Sequence, residues 1–375
     1  MSPPSDPDLK EAPLAVADRR ARVRPPDAPV LKLSELEAIR LLLRGGSVVD
    51  WYRLNFESTD EVRSFVRLLE GDLDDPRDLA RLDHLRDSAA RYLADAHGYR
   101  IPQEQLECPA LDLFLYACEK KGRRRDRFYA CLLLKTMHII HHIEARELRY
   151  RLPLPHSQIA RLIVEKVDRF AHRLADEGFP LTAYYGGEKS MGSLVTKLLV
   201  KREHHAAAIH DRVRFRFVVE QTGDIVPLLH RITTRLLPFS YIVPGSTVNH
   251  LVNFTALVES HEAYRKVAEE FQVELGHEDQ TLPQVNEFSG PTYRVINFVA
   301  DMPIRVPDEV LAKDERFEHL GRVVFGLAEL QVVDEKSAQE NEAGENHHDL
   351  YKARQLSRVR ERLERGLRGK PDESE

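Results

Sequence analysis

In the stretch HDRVRFRFVV, residues 210–219, Arg212, Arg214 and Arg216 alternate with Val213, Phe215 and Phe217. As a strand, this pattern buries one face and lines the other with guanidinium groups, because successive side chains point to opposite sides. Such a row suits phosphate or carboxylate oxygens, which guanidinium groups grip with paired N–H donors. A second apolar stretch, GRVVFGLAELQVVD at 321–334, sets Glu329 and Gln331 on the face shared with Val323, Phe325 and Leu327. Its other face, Val324, Gly326, Ala328, Leu330 and Val332, is wholly small or apolar. A glutamate in so apolar a strand is costly to bury without a positive or hydrogen-bonding partner. Arg214 or Arg216 supplies one if the two strands share a sheet, and that pair reads equally well as a structural salt bridge.

Asp211 opens the arginine strand. A strand-edge aspartate is usually a turn or cap residue. With Glu329, and surrounded by Arg and Lys, it is also the carboxylate pair a Mg²⁺–nucleotide site needs: carboxylates hold the hard cation and basic side chains hold the phosphate oxygens. In YYGGEKSMGSLVTKLL, Gly186 and Gly187 allow close backbone approach, and a helix beginning near Lys189 carries Lys189, Ser193 and Lys197 along one side. The Walker A spacing is absent, and a glycine turn ahead of a solvated helix face is the plainer account. His138, His141, His142 and Glu144 lie in MHIIHHIEAREL without an H-E-x-x-H arrangement and read as helix-packing residues. The basic run KKGRRRDR reads as a solvated loop, with RNA contact as the alternative.

The elements that position these residues are legible in outline. Residues 1–30, rich in proline and charge, read as a disordered leader. Ser34 with Glu37, and Ser58 with Glu61, make capping boxes ahead of two helices. Further helices are expected at 77–97, 110–121, 127–148 and 155–176, so 31–178 reads as an all-helical N-terminal domain. From 179 onward the texture mixes strands and helices. The arginine strand is followed by a helix at 223–236, a short strand at SYIVP, a helical stretch near 260–273 and strands at 292–301 and 321–334. The expected class is therefore α+β, a mixed sheet flanked by helices after the helical region. A charged helix follows the last strand, with Leu356, Val359, Leu363 and Leu367 as its apolar stripe.

Composition bounds the function. The chain has 375 residues, 42% hydrophobic and 31% charged, enough for a real core and for two or three units. A net charge of −6 argues against a general nucleic-acid binder. Cys108, Cys118 and Cys131 are too few and scattered for a disulfide framework or a zinc site, and fit a reduced compartment. No apolar run approaches the roughly 20 residues that span a bilayer, and the first thirty lack the apolar core of a signal peptide. A cytoplasmic protein with no membrane partner is the expectation.

Three separated segments resemble one family, the RelA/SpoT-type nucleotide pyrophosphokinases or alarmone synthetases. That family begins its site with G-R-x-K-x-x-x-S-[IL]-x-x-K, where GGEKSMGSLVTK supplies Gly186, Lys189, Ser193, Leu194 and Lys197. Its strand-opening aspartate and the following arginine correspond to Asp211 and Arg216. Its final E-[IV]-Q-[IV]-R-T strand and A-E-x-G-x-x-x-H-x-x-Y-K helix match ELQVVDEKSAQENEAGENHHDLYK without a gap, through Glu329, Gln331, Glu342, Gly344, His348, Tyr351 and Lys352. The Y-I-x-x-P turn is Tyr241, Ile242 and Pro244, and TYRVINFV then offers Tyr293 and Ile296, with Asn297 in a histidine's place and an insertion around 245–290 between them. The resemblance covers 179–355, a nucleotidyltransferase-like synthetase domain, with 356–375 a charged helix and tail.

The resemblance implies a Mg²⁺-dependent transfer of pyrophosphate from ATP to the 3′-hydroxyl of a nucleotide (GDP, GTP or ADP) or RNA acceptor, as in guanosine tetraphosphate metabolism and the stringent response. It implies Asp211 and Glu329 as catalytic and metal-binding residues, and Gly186, Lys189, Ser193, Lys197, Arg214 and Arg216 on the ATP phosphates. Tyr293, Asn297, Gln331 and His348 fall on the acceptor. Gly187 and Val333 stand where the family has arginines, Asp334 where it has a threonine. Those departures keep two alternatives open: a nucleotide-binding sensor or interaction protein without turnover, and a nucleotidyltransferase moving a nucleoside monophosphate. The N-terminal helices have no counterpart in the resemblance, and a protein partner is one role open to them.

Overall fold

The computed structural model describes residues 10–11, 31–44, 56–200, 213–260, 293–311, 319–342, 356–361 and 363–364. Among the described residues, seven helices precede the long strands of the sheet: α1 (Leu33–Arg44), α2 (Thr59–Leu68), α3 (Pro76–His97), α4 (Gln103–Glu107), α5 (Asp112–Ala117), α6 (Arg124–Arg151) and α7 (His156–Asp176). Their ends follow local chemistry. Ser58 caps α2 by accepting from the Glu61 amide, and Asp75 caps α3, which stops at Gly98 in the left-handed conformation. Ser34, the expected cap, lies inside the helix, and its side chain is not among those described. The helix begins at Leu33, the Lys32 amide donates to Glu35, and Glu37 makes a buried two-point pair with Arg40. α5 is shorter than the sequence pattern implied, because Glu119 and Gly122 both adopt positive φ and end it.

The strands are β1 (Lys10–Glu11), β2 (Leu181–Glu188), β3 (Val213–Val219), β4 (Val248–Asn249), β5 (Ile296–Arg305) and β6 (Val323–Asp334). They form one sheet in the order β1-β2-β3-β6-β5-β4. β3 and β6 run parallel, and every other neighbouring pair is antiparallel. Between and after them lie α8 (Met191–Val200), α9 (Ile225–Arg235), α10 (Phe254–Ser260), α11 (Asp308–Leu311) and α12 (Glu335–Asn341). The class is α+β with a mixed sheet. Three strands were not legible in the sequence: β2, read as a glycine turn; β1, inside the segment read as disordered; and β4, inside the segment read as an insertion around 245–290. SYIVP is a 3₁₀ turn, Phe239–Tyr241, followed by an isolated bridge from Ile242 to Ala300 rather than a strand. Most of the helix expected near 260–273 lies outside the described residues.

The sheet has two unlike faces, and the alternation in β3 and β6 decides which is which. Phe215, Phe217, Leu330, Val332, Ile296 and Phe298 are all fully buried on one face. α7 lies against it with Ile159, Ile163, Val167 and Phe170. Burial of each large side chain contributes about 2 kcal/mol. Gly326 makes room for α7: a Cβ there would stand 2.6 Å from Ile163 Cδ1 and 2.8 Å from Ile159 Cγ2, so those side chains would have to shift. The other face carries Arg214, Arg216, Glu329, Gln331 and Asn297.

The N-terminal helices share the same core, which runs without interruption from Leu31 to Val332. α6 covers the start of β6, where His142 stacks on Phe325 with ring centres 4.5 Å apart. Ion pairs from Arg305 to Asp78 and from Arg322 to Asp75 tie α3 to the sheet. His138, His141 and His142 pack with Tyr241 and Phe325, as expected of packing histidines. Among the described residues, no cluster of His, Cys, Asp and Glu could hold a metal by itself, and no helix is long and apolar enough to cross a membrane. Of the C-terminal stripe, Val359 is buried, Leu356 and Leu363 are exposed, and Leu367 lies outside the described residues.

Candidate active site

The strand register assembles the polar face. β3 and β6 set Arg214 beside Glu329 and Arg216 beside Gln331. β5 adds Asn297 beside Gln331, and β2 puts Gly187 opposite Arg214 and Tyr185 opposite Arg216. Each of these two rows thus carries a cation from β3 and an oxygen acceptor from β6.

Hydrogen bonds turn these rows into a continuous relay. Arg214 Nε donates to Glu329 Oε2 at 2.9 Å, and Lys189 Nζ stands 3.8 Å from the same oxygen. Gln331 Nε2 faces Glu329 Oε1 at 3.4 Å, while Gln331 Oε1 accepts from Arg216 Nε at 3.0 Å. Because the amide oxygen is fixed by the guanidinium, the amide nitrogen must turn toward the carboxylate. Arg216 also reaches Glu342 and the Tyr293 hydroxyl, each at 3.4 Å. The side chains of Lys189 and Glu329 are only 9% and 10% exposed, so this charge is held largely out of water.

Lys189 lies on the turn from β2 into α8, not on the helix. α8 starts at Met191, with Ser190 Oγ accepting from the Ser193 amide. The lysine stripe expected along α8 is therefore broken at its first member, which bends toward β6 instead. Ser193 bonds Ser190 through its hydroxyl. Lys197 lies on α8, and its side chain is not among those described. Gly186 faces the apolar side, where a Cβ would meet Phe215 Cδ1 at 2.8 Å and the Tyr184 hydroxyl at 2.9 Å. Core packing is thus a sufficient physical reason for that glycine. Asp211 and His348 lie outside the described residues.

The departures from the family pattern have local explanations. Val333 is 1% exposed and packs with Ala183, Tyr185, Val218, Val295 and Ala338, so an apolar cluster fills the arginine's position. Asp334 caps α12, accepting from the Ser337 amide and the Thr222 hydroxyl, both at 2.6 Å. Burial pushes its carboxyl up, but those hydrogen bonds outweigh it and hold the group below the usual range. Gly187 stands opposite Arg214, so a guanidinium borne on the neighbouring strand lies next to the missing one.

Two residues near Tyr293 were invisible to pattern reading. His250 bonds its amide to Val295 O and lies on the edge beyond Asn297. Its Nδ1 and Asn297 Oδ1 are both buried without a hydrogen-bond partner among the described residues. Burial and the nearby Arg294 hold the His250 imidazole below its ordinary pKa. Asn341 grips the Arg294 backbone through both of its amide atoms and thereby fixes the approach to Tyr293. Glu342, by contrast, was signalled by its place in the matching helix segment.

The oxygen donors bear on metal binding. Glu329 is the described carboxylate at the centre of the relay, and one of its oxygens already serves two cations. Such a donor does not make a cage by itself, but fits a Mg²⁺ ion whose remaining ligands are nucleotide phosphates and water.

No family model and no curated protein matches the sequence. Solved structures similar to the chain include the small alarmone synthetase 1 from Bacillus subtilis bound to its product pppGpp, at 14% identity and a TM-score of 0.32, covering 56% of this chain and 86% of that one. The small alarmone synthetase 2 from the same organism superposes at 13% identity and a TM-score of 0.30, covering 56% and 94%. At TM-scores of this size the likeness establishes neither family nor function.

Proposed function

We propose that the chain is a pyrophosphokinase-like enzyme that transfers the β,γ-pyrophosphoryl group of ATP to the 3′-hydroxyl of a nucleotide or RNA acceptor. The observation that carries this reading is the relay from Lys189 through Arg214, Glu329, Gln331 and Arg216 to Tyr293. It combines three cations for a polyphosphate, one carboxylate for a proton and one aromatic ring for a base. Lys189, Arg214 and Arg216 bind the donor phosphates, with Arg214 taking the part that an arginine at position 187 would have had. Ser193 and Lys197 extend that grip along α8. Glu329 takes the proton of the acceptor's 3′-hydroxyl, whose oxygen attacks the β-phosphorus. The bond from that phosphorus to the α,β-bridging oxygen breaks, and AMP leaves. Tyr293 stacks on the acceptor's base, with Asn297, Gln331 and His348 around it. Asp211 and Glu329, together with the phosphates, would hold Mg²⁺, which would neutralise the phosphate charge. Positioning and charge neutralisation supply most of such a rate enhancement.

The test is γ-labelled ATP with Mg²⁺ and GDP, GTP, ADP or bulk tRNA, run beside Asp211→Ala and Glu329→Ala. Label in the acceptor, lost by at least about 100-fold in both variants, is the expected result. Release of free pyrophosphate with adenylated acceptor would instead mark a nucleotidyltransferase. One observation favours a second reading, a nucleotide-binding module without turnover: Val333 sits in an apolar cluster where a phosphate-facing arginine would stand. ATP bound but left intact with every acceptor would decide for it.

A further inference from the structure

A carboxylate and a phosphate ask the same thing of a guanidinium or an ammonium group. Lys189 and Arg214, the residues proposed above to grip the donor, both point at one oxygen, Glu329 Oε2. We propose that Glu329 and the donor's polyphosphate are rivals for these two cations, so that donor binding is the event that releases Glu329 for proton transfer. This inference rests on the phosphate-binding reading of the site and adds an order to it: donor first, acceptor chemistry second.

Three features of the geometry support the rivalry. The competing groups are largely shielded, with Lys189 9%, Glu329 10% and Arg214 18% exposed. Charges so placed are costly to leave without a counter-charge, so the cations exchange one anion for another rather than standing alone. Arg216 is held less tightly: its Nε is met by the neutral Gln331 oxygen at 3.0 Å and its Nη1 by the half-buried Glu342 carboxylate at 3.4 Å, partners that a phosphate displaces at smaller cost. Gln331 Nε2 stays on Glu329 Oε1, so the carboxylate keeps its orientation while the opposite oxygen is vacated. The consequence is reciprocal, as any linkage must be: the factor by which Glu329 weakens polyphosphate binding is the factor by which polyphosphate loosens Glu329.

The experiment is calorimetric titration of the full chain with inorganic tripolyphosphate in EDTA, which removes the metal and the reaction from the readout. Wild type, Glu329→Gln, Glu329→Asp, Lys189→Met and the Lys189→Met/Glu329→Gln double variant are compared, each with a melting curve to verify folding. Glu329→Gln is expected to bind tripolyphosphate about fivefold or more tighter than wild type, with Glu329→Asp between them. Lys189→Met is expected to bind more weakly, and the gain from Glu329→Gln to shrink in its background. Unchanged or weaker binding by both Glu329 variants, while wild type binds, overturns the rivalry and leaves the phosphate site standing. Failure of wild type and variants alike to bind tripolyphosphate overturns the phosphate-binding reading itself, and the rivalry with it.

Discussion

Glu329 shows how a single side chain takes its meaning from strand register. Parallel pairing of β3 with β6 puts Arg214 beside it, and the turn before α8 brings Lys189 to the same oxygen. Gly186 shows the opposite case, a residue with a plain packing explanation inside a motif that reads as phosphate-binding. Its missing side chain makes room for Phe215. Gly186→Ala is therefore expected to destabilise the fold by about 1–3 kcal/mol through overpacking, seen as a lower melting temperature, with tripolyphosphate affinity unchanged in the folded protein. Lost affinity at an unchanged melting temperature would instead give that glycine to the ligand. Val333→Arg, which restores the family's residue type, is expected to lower stability by a comparable amount, because it drives a charge into the cluster of Tyr185, Val218 and Ala338.

At the scale of elements, the turn from β6 into α12 and the packing of α6 on the sheet give the clearest consequences. Asp334→Ala removes the acceptor of both the Ser337 amide and the Thr222 hydroxyl, and is expected to cost about 1–2 kcal/mol in denaturant unfolding. α6 brings histidines that fold in the neutral form. Burial, with a smaller contribution from His142, lowers His138 to about 3. Burial, then Arg81 and the neighbouring histidines, holds His141 well below its ordinary value. The unfolded chain takes up protons near pH 6.5 that the folded chain refuses, so stability is full above that pH and falls as the pH drops toward 3. His138 alone accounts for about 2 kcal/mol between pH 6.5 and 5. Urea midpoints at the two pH values check this, and His138→Gln is expected to shrink the difference.

Across the whole molecule, the sequence disclosed most where periodicity and chemistry agree. β3 and β6 were legible because arginines or a glutamate alternate with a fully apolar face, and α7 because its stripe from Ile159 to Leu174 keeps helical spacing. β2 was not, because Gly186 and Gly187 carry the signature of a turn, and only the sheet context at Tyr184 and Phe215 makes them strand residues. β1 was hidden for a related reason: Lys10 and Glu11 are strand only because β2 offers an edge to pair with. In the site, Arg214, Arg216, Glu329 and Gln331 announced themselves by type and spacing. His250 and Asn341 did not, since their positions depend on backbone contacts with Val295 and Arg294 that no local pattern encodes. The continuous core from Leu31 to Val332 likewise binds the N-terminal helices to the sheet through contacts far apart in sequence.

The central claim, that this polar face moves pyrophosphate from ATP to a 3′-hydroxyl, is tested most directly by following adenine-labelled ATP with Mg²⁺ and the acceptor panel. The account predicts AMP appearing in step with one acceptor's consumption, and neither product with Glu329→Ala. ATP that binds yet stays intact with every acceptor would contradict it.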